Sequence, residues 1–156
     1  MKGNKSKPIN NHLLRSWIRC RRKAWLDKYG DPTKRLWSAH RSLQLDHQHR
    51  SFLALLNNSP GRGIEAFQAG ASFILGSSLK GETNSGQLIK ANPPLLKKVI
   101  GNSKWGEFSY CPVITRQGKR VTREHRLSLS FIGLLLEQVQ ESPVRKGIVI
   151  SKTPER

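Results

Sequence analysis

The sequence predicts an α/β domain in which helices flank a mixed β-sheet and the N-terminal part is largely helical. Three patterns support this fold class. Apolar residues recur at helical spacing in the first third, apolar runs of strand length follow, and a late apolar stretch is too long for one strand. At 156 residues the chain has about the length of one domain and can bury its own core.

The N-terminus is predicted to be a tail followed by a long amphipathic helix. Residues 1–10 are interpreted as a basic flexible tail, and residues 11–156 as a single domain. Asn10 or Asn11 can cap a helix that continues to about Tyr29, before a glycine and a proline.

This first helix is predicted to have an apolar and a cationic face. The apolar stripe consists of Leu14, Trp17, Ile18 and Trp25. The residues that face away from it are Arg15, Arg19, Arg22 and Lys23. Arg21 falls inside the apolar stripe, from which a long side chain can snorkel to water or reach a cleft beside the core.

The remaining elements are predicted from apolar runs and turn residues. In order they are a helix over Thr33–Leu56, a short helix over Ile64–Ala69, a strand in "ASFILGSSL", a hairpin or loop in "KGETNSGQ", a strand in "PPLLKKVIG", a strand over Trp105–Ile114, a turn at Gln117–Gly118, a helix over Arg123–Gln140 and a strand in "KGIVIS". Pro93 and Pro94 are expected to keep the start of their strand from a central position in the sheet. Thr122 can cap the last helix, whose apolar residues predict burial on both sides.

Charge is the strongest global signal in the sequence. Lysine and arginine number 28 against 10 acidic residues, which gives a formal net charge of +18. A compact domain with this imbalance repels itself, and a polyanion relieves the repulsion. The predicted partner is therefore nucleic acid, DNA rather than RNA, ahead of an anionic membrane or an acidic protein. A basic surface kept only for solubility is the alternative.

Several classes of protein are disfavoured by the sequence. The longest apolar run, around Phe131–Leu136, is far shorter than the ~20 residues that span a bilayer, and no apolar segment follows the basic N-terminus as in a secretory signal. Cys20 and Cys111 are too few for a zinc site of their own and are expected to be reduced thiols. We therefore expect a cytoplasmic protein without membrane contact.

Three segments could carry chemistry. The first, "RCRRKAWLDKYGD", is either a cationic helix face for phosphates or an arginine-rich solvent face. In the second, "DHQHR", His47 and His49 point about 200° apart on a helix and cannot share a ligand face, so His47 is either one site histidine or an ordinary polar one. The third is the strand that carries Glu107, its sole carboxylate, and ends in the cation Arg116.

A family resemblance rests on four of these segments. "LLRSWIRCRRKAWLDKYGD", "LDHQHRSFLALL", "PPLLKKVIGNSKWGEFSYCPVITRQGKR" and the helix that follows resemble the N-terminal nuclease domain of RecB-like nucleases. These belong to the PD-(D/E)XK, or restriction-endonuclease-like, superfamily. The resemblance covers roughly residues 11–150 and implies a restriction-endonuclease-like mixed sheet.

The resemblance also implies where a metal site would lie. In the family a histidine on an early helix, an aspartate in a "PDLL"-like strand and an acid-x-lysine pair in a "PVDIK"-like strand surround the metal. The matching positions hold, in that order, His47, Pro94, Ile114 and Arg116. The Tyr-Gln pair that often opens the next helix falls at His125 and Arg126.

Both principal metal-binding acids are thus replaced. Proline and isoleucine cannot coordinate Mg²⁺, which requires oxygen ligands. Arginine keeps the positive charge of the family lysine but stays protonated and shuttles protons poorly. Some relatives hold an iron–sulfur cluster through four cysteines, whereas this chain has two, so no such cluster is expected.

The leading hypothesis is a nucleic-acid-binding domain of the RecB-like nuclease family that is catalytically degenerate and has no resident metal. The residues expected to contact phosphates are Arg15, Arg19, Arg21, Arg22, Lys23, Arg116, Lys119, Arg120 and Arg123. The residual catalytic candidates are His47, Glu107 and Arg116.

Two alternatives stay open. One is an active Mg²⁺- or Mn²⁺-dependent nuclease with a rearranged site formed by His47, Glu107 and Glu124. The other is a small basic RNA- or ribosome-associated protein whose likeness to nucleases is accidental.

Overall fold

A computed structural model of the chain describes residues 7–34, 59–116 and 120–151, together with positions 43, 46, 50, 54 and 56. These residues form a mixed α/β structure with two mixed β-sheets and four α-helices, so the α/β class is confirmed. Most of the predicted helix over Thr33–Leu56 and the turn at Gln117–Gly118 lie outside the described residues. Pro32–Lys34 form a short 3₁₀ helix.

The described elements follow one another from β1 to β7. In chain order they are β1 (Ile9–Asn10), α1 (Asn11–Arg19), α2 (Arg21–Tyr29), α3 (Gly63–Gln68), β2 (Phe73–Leu75), β3 (Leu79–Glu82), β4 (Leu88–Ala91), β5 (Leu95–Ser103), β6 (Gly106–Arg116), α4 (Arg123–Gln140) and β7 (Ile148–Ser151). The predicted short helix, final helix and closing strand are confirmed within a residue or two. The strand predicted in "ASFILGSSL" is instead divided into β2 and β3, because the chain bends at Gly76, whose φ of 63° suits glycine.

The four-stranded sheet has the order β2-β5-β6-β7. The first three strands are antiparallel, and β7 lies parallel to β6 because α4 provides the crossover between them. The expectation that the two prolines keep the start of β5 from a central position is wrong. Leu95 pairs with both Leu75 and Val113, and Pro94 immediately precedes β5.

The three-stranded sheet, with the order β1-β4-β3, was not predicted. The antiparallel hairpin of β3 and β4 encloses the predicted turn segment, and β1 adds in parallel through the pair Ile9–Ile89. Ile9 and Asn10, the last two residues of the segment interpreted as a tail, therefore form strand β1. Strands of two and four residues are too short to produce a readable alternation.

Two short helices replace the single helix predicted over residues 11–29. Asn10 caps α1 as expected, because its Oδ1 accepts a hydrogen bond of 2.9 Å from the Leu13 N–H. The chain then becomes extended at Cys20, with φ −160° and ψ 114°, before α2 begins. The predicted apolar stripe is consequently broken, and Trp17 and Trp25 are exposed rather than buried.

The main core surrounds α4, which contacts both sheets. The four-stranded sheet contributes Ile74, Leu96, Tyr110 and Ile114, the three-stranded sheet Leu79, Ile89 and Ala91, and the helix Phe131, Ile132, Leu135 and Leu136. A smaller cluster of Leu75, Leu95 and Val113 forms separately. The predicted burial of α4 on both sides is wrong at Leu134, which is exposed.

The side chain of Gln140 joins the end of α4 to β6 inside this core. Its Oε1 accepts a hydrogen bond of 2.9 Å from the Tyr110 N–H, and its Nε2 donates to the Ser142 carbonyl at 3.1 Å. Gln140 is fully buried, so no water can replace these bonds. We expect Gln140→Ala to lower the free energy of unfolding by about 2–3 kcal/mol in urea titrations, because a buried donor loses its partner.

Gln138 supplies a matched control for this variant. It also makes two hydrogen bonds, to the backbone N–H and carbonyl of Glu82, but it is exposed. Gln138→Ala is expected to cost less than about 1 kcal/mol, because water can take its place. Equal losses in the two variants would contradict the buried role of Gln140.

Candidate nucleic-acid interface

An ion pair connects α1 to the first turn of α4. Arg19 Nε and Nη2 donate hydrogen bonds of 2.6 and 2.7 Å to Oε1 and Oε2 of Glu124. This two-pronged geometry matches the guanidinium fork to a carboxylate. Arg19 was predicted to contact phosphate, and Glu124 was a metal ligand only in the alternative of a rearranged nuclease, whereas the structure pairs the two residues with each other.

The Glu124 carboxyl is held ionised by its surroundings. The hydrogen bond from Arg19 is the main cause that lowers its pKa, and the charges of Arg19, Arg15 and His125 act in the same direction. A lowered folded-state pKa means that the ion pair stabilises the fold above the ordinary pKa of a glutamate. That contribution is lost as the pH falls through the lowered value.

The start of α4 is fixed by a reciprocal cap. The Thr122 N–H donates to His125 Nδ1 at 3.0 Å, and the His125 N–H donates to Thr122 Oγ1 at 3.4 Å. His125, at one of the two matched family positions, therefore contacts the backbone of its own helix. The other position, Arg126, is exposed on the same turn.

The strand-end arginines lie beside this helix start. Arg116 ends β6, where it pairs with Ser151 of β7, and α4 begins at Arg123. Arg120 and Arg123 are exposed, while Lys119 lies outside the described residues. We call the resulting surface the cationic corner, defined as Arg15, Arg19, Arg116, Arg120, Arg123 and Arg126. It combines five arginines from the two predicted clusters with Arg126, which was not among the predicted phosphate contacts, and with the carboxylate of Glu124.

Two of the three expected residual catalytic residues, Glu107 and Arg116, lie far apart. Glu107 lies near the start of β6 and Arg116 at its end, so nine residue steps separate them by about 30 Å. Glu124 belongs to the Arg116 end and is paired with Arg19. The candidate His47 lies outside the described residues. In the described part of the chain, no three histidine, cysteine or acidic side chains gather to hold a metal ion.

The two positions matched to the family acids do lie together. Leu95 pairs with Val113, so one step further along the same antiparallel register Pro94 faces Ile114. Ile114 belongs to the main core and is only 7% exposed. The two side chains offer no ligand atom to a cation.

Lys23, predicted to contact phosphate, is engaged between α1 and α2. Its Nζ lies 2.9 Å from Asp27 Oδ2, to which the buried Ser16 hydroxyl donates at 2.6 Å and which His12 Nε2 approaches at 3.3 Å. Burial alone would raise the pKa of Asp27, but the hydrogen bonds from Ser16 and Lys23 and the charges of Lys23 and His12 leave it lowered. The charge of Lys23 is thus offset within the helix pair.

A row of exposed aromatic residues follows the same two helices. The Arg21 guanidinium lies 5.5 Å from the Trp17 ring centroid, and the rings of Trp25 and Tyr29 lie 5.6 Å apart. We call Trp17, Arg21, Trp25 and Tyr29 the aromatic row. The row was not predicted, because Trp17 and Trp25 were expected to be buried. The regular four-residue spacing of these side chains nevertheless indicates that they share one side of a helix.

A groove of about 600 Å³ lies at the opposite end of the four-stranded sheet. The described residues that line it include Ser109, Cys111, Arg145 and Lys146 but no carboxylate. Burial raises the pKa of the Cys111 thiol, with smaller opposing effects from two lysines. This groove therefore offers neither a metal site nor an activated thiolate.

Comparison of the chain with known protein families and with curated proteins found no match. None of the helices in the described ranges combines the length and the apolar character needed to cross a membrane.

Proposed function

We propose that this protein binds nucleic acid, DNA in preference to RNA, along its phosphate backbone at the cationic corner. We further propose that it is a catalytically degenerate relative of the RecB-like nucleases with a restriction-endonuclease-like fold. The observation that carries the binding proposal is the Arg19–Glu124 ion pair. It connects the arginines of α1 to those around the start of α4 on a chain whose net charge is +18.

The composition of the corner favours phosphate over other anions. The cations that define it among the described residues are arginines, whose planar forks bind two phosphate oxygens at once. Arg120, Arg123 and Arg126 are exposed, so a large polyanion can reach them. Contacts of this kind supply affinity and orientation without sequence preference.

The arrangement of β5 and β6 supports the family relationship. A PD-(D/E)XK site requires its two acid positions on neighbouring strands, and Pro94, immediately before β5, falls opposite Ile114 of β6 when the register of Leu95 with Val113 is extended by one residue. With both acids replaced, and with Glu107 about 30 Å from Arg116, the described residues lack the oxygen ligands for metal-dependent cleavage. Binding without cleavage is the function that this combination supports best.

The test is a salt titration of binding to a fluorescently labelled DNA duplex in EDTA. If the five arginines of the corner other than Arg19, which is paired with Glu124, contact phosphates, the slope of log K against log salt should approach about −4.5, at roughly −0.9 per neutralised phosphate. Binding that persists in EDTA distinguishes direct contacts between arginine and phosphate from binding that needs a metal ion. A slope near zero would overturn the proposal.

Removing the carboxylate of the corner should strengthen binding. We expect Glu124→Gln to raise duplex affinity several-fold at ~0.15 M salt, because Arg19 becomes available and a repulsive charge disappears. Glu107→Gln is the matched control, with the same change of charge at the far end of β6. If both variants bind equally tightly, net charge rather than the corner determines affinity.

The same two variants test the rearranged nuclease. Highly purified wild-type protein should leave duplex and single-stranded DNA intact in Mg²⁺ or Mn²⁺. Cleavage that disappears in Glu107→Gln or Glu124→Gln would contradict the degenerate site and support the nuclease alternative.

A further inference from the structure

The aromatic row begins on the side of α1 opposite to the arginines of the cationic corner, since Trp17 lies two residues, or about 200° of helical rotation, before Arg19. Large aromatic side chains usually bury much of their area, yet Trp17, Trp25 and Tyr29 are 52%, 59% and 63% exposed. Three such side chains on one pair of short helices form a surface that the phosphate contacts of the corner do not use.

The row alternates aromatic rings with cations. Arg21 lies over the ring of Trp17, and Lys28 Nζ lies 5.4 Å from the centroid of Tyr29. Arg21, Trp25 and Tyr29 are four residues apart on α2 and therefore share one face. Trp25 and Tyr29 lie four residues apart, or about 6 Å along the helix, which matches roughly two stacked bases at 3.4 Å each.

We infer that the aromatic row binds single-stranded nucleic acid by stacking unpaired bases on Trp17, Trp25 and Tyr29, while neighbouring cations contact the phosphates. This inference rests on the proposed binding of the backbone at the cationic corner and names the strandedness of the preferred ligand. The cations nearest to the rings are Arg21 and Lys28, which lie on α2 and do not belong to the corner.

The chemistry of the row distinguishes a single strand from other occupants. In a duplex the base faces are stacked on one another, so exposed rings can stack only on unpaired bases. Lysine is depleted at the centre of protein–protein interfaces, whereas here Lys28 lies against the ring of Tyr29. Aromatic rings interleaved with cations are the arrangement that binds single strands with little sequence preference.

The test compares the full chain with Trp25→Ala and Trp25→Phe on labelled oligothymidylate, oligouridylate and a DNA duplex at fixed salt. Loss of one stacked base should weaken binding of oligothymidylate about tenfold in Trp25→Ala. Trp25→Phe retains a ring and should recover most of that affinity, while duplex affinity stays unchanged in both variants. The ratio between the two oligonucleotides reports DNA against RNA.

A matched control is Ile100→Ala, which removes a fully exposed apolar side chain from β5. It should leave binding of all three probes unchanged. Equal losses for Trp25→Ala and Trp25→Phe, or equal losses on duplex and single strand, would overturn the inference. The inference would also be overturned if analytical ultracentrifugation showed that the wild type is a dimer and Trp25→Ala a monomer, because a second copy of the chain would then occupy the row.

Failure of this inference can be told from failure of the proposed function. If the wild type binds duplex with a steep salt slope but Trp25→Ala does not change the affinity for oligothymidylate, the proposed binding at the corner stands and the proposed role of the aromatic row is wrong. Protein that binds neither probe excludes both.

Discussion

The triple variant Arg120→Ala/Arg123→Ala/Arg126→Ala is expected to bind a DNA duplex at least about a hundredfold more weakly than the wild type at ~0.15 M salt. Each of these exposed arginines can donate charge-assisted hydrogen bonds to phosphate, and a bond to a charged group contributes about 1.5–3 kcal/mol. If all three contact phosphates, the salt slope should also become shallower by about 2.7. Fluorescence anisotropy over a range of salt concentrations measures both quantities.

A second triple variant controls for the change in net charge. Lys104, Arg145 and Lys146 lie toward the Glu107 end of β6, away from the cationic corner, and their replacement by alanine also removes three charges. It should weaken binding no more than about tenfold, through the long-range field alone. Similar losses in the two triple variants would mean that the corner has no special role.

Installing a carboxylate at Ile114 is expected to destabilise the protein by about 4 kcal/mol or more. Ile114 is packed in the main core, and an aspartate there would bury a charge without a partner. Ile100→Asp makes the same exchange at a fully exposed position of β5 and should change stability by about 0.5 kcal/mol or less. Urea denaturation of both variants measures the difference.

Two further measurements keep this prediction decisive if Ile114→Asp fails to fold. Ile114→Val removes one methylene and should cost about 1 kcal/mol if the position is part of the core. Where Ile114→Asp does fold, addition of Mn²⁺ should not restore its stability, because the facing residue is Pro94. Tolerance of aspartate, or rescue by Mn²⁺, would show that the position remains ready to hold a metal.

The longest elements were predictable from the sequence because their signals repeat. The helix over Arg123–Gln140 has the same bounds in the structure, since its apolar spacing persists over many turns and Thr122 provides a cap. The strand predicted over Trp105–Ile114 differs from β6 by one or two residues at each end. Strands β1 and β4 were not predicted, because strands of two and four residues are too short to show an alternation of apolar and polar residues.

The break at Cys20 was not predictable from local signals. No glycine or proline marks the break. The two helices on either side of it are joined through Asp27, which accepts a hydrogen bond from Ser16 of α1 and pairs with Lys23 of α2. The same limit applies to the site. Composition and spacing identified the arginines, but the ion pair that unites them joins residues 105 positions apart and depends on how the helices pack.

The extended residue between α1 and α2 provides a natural attachment point for a reporter. Cys20 is exposed there, whereas burial encloses Cys111 and raises its pKa, so a maleimide dye should label the native protein at Cys20 alone. The dye would be placed between Arg19 and Arg21, at the junction of the corner and the aromatic row. Bound strands could then be followed optically in the unmutated protein, without engineering a cysteine.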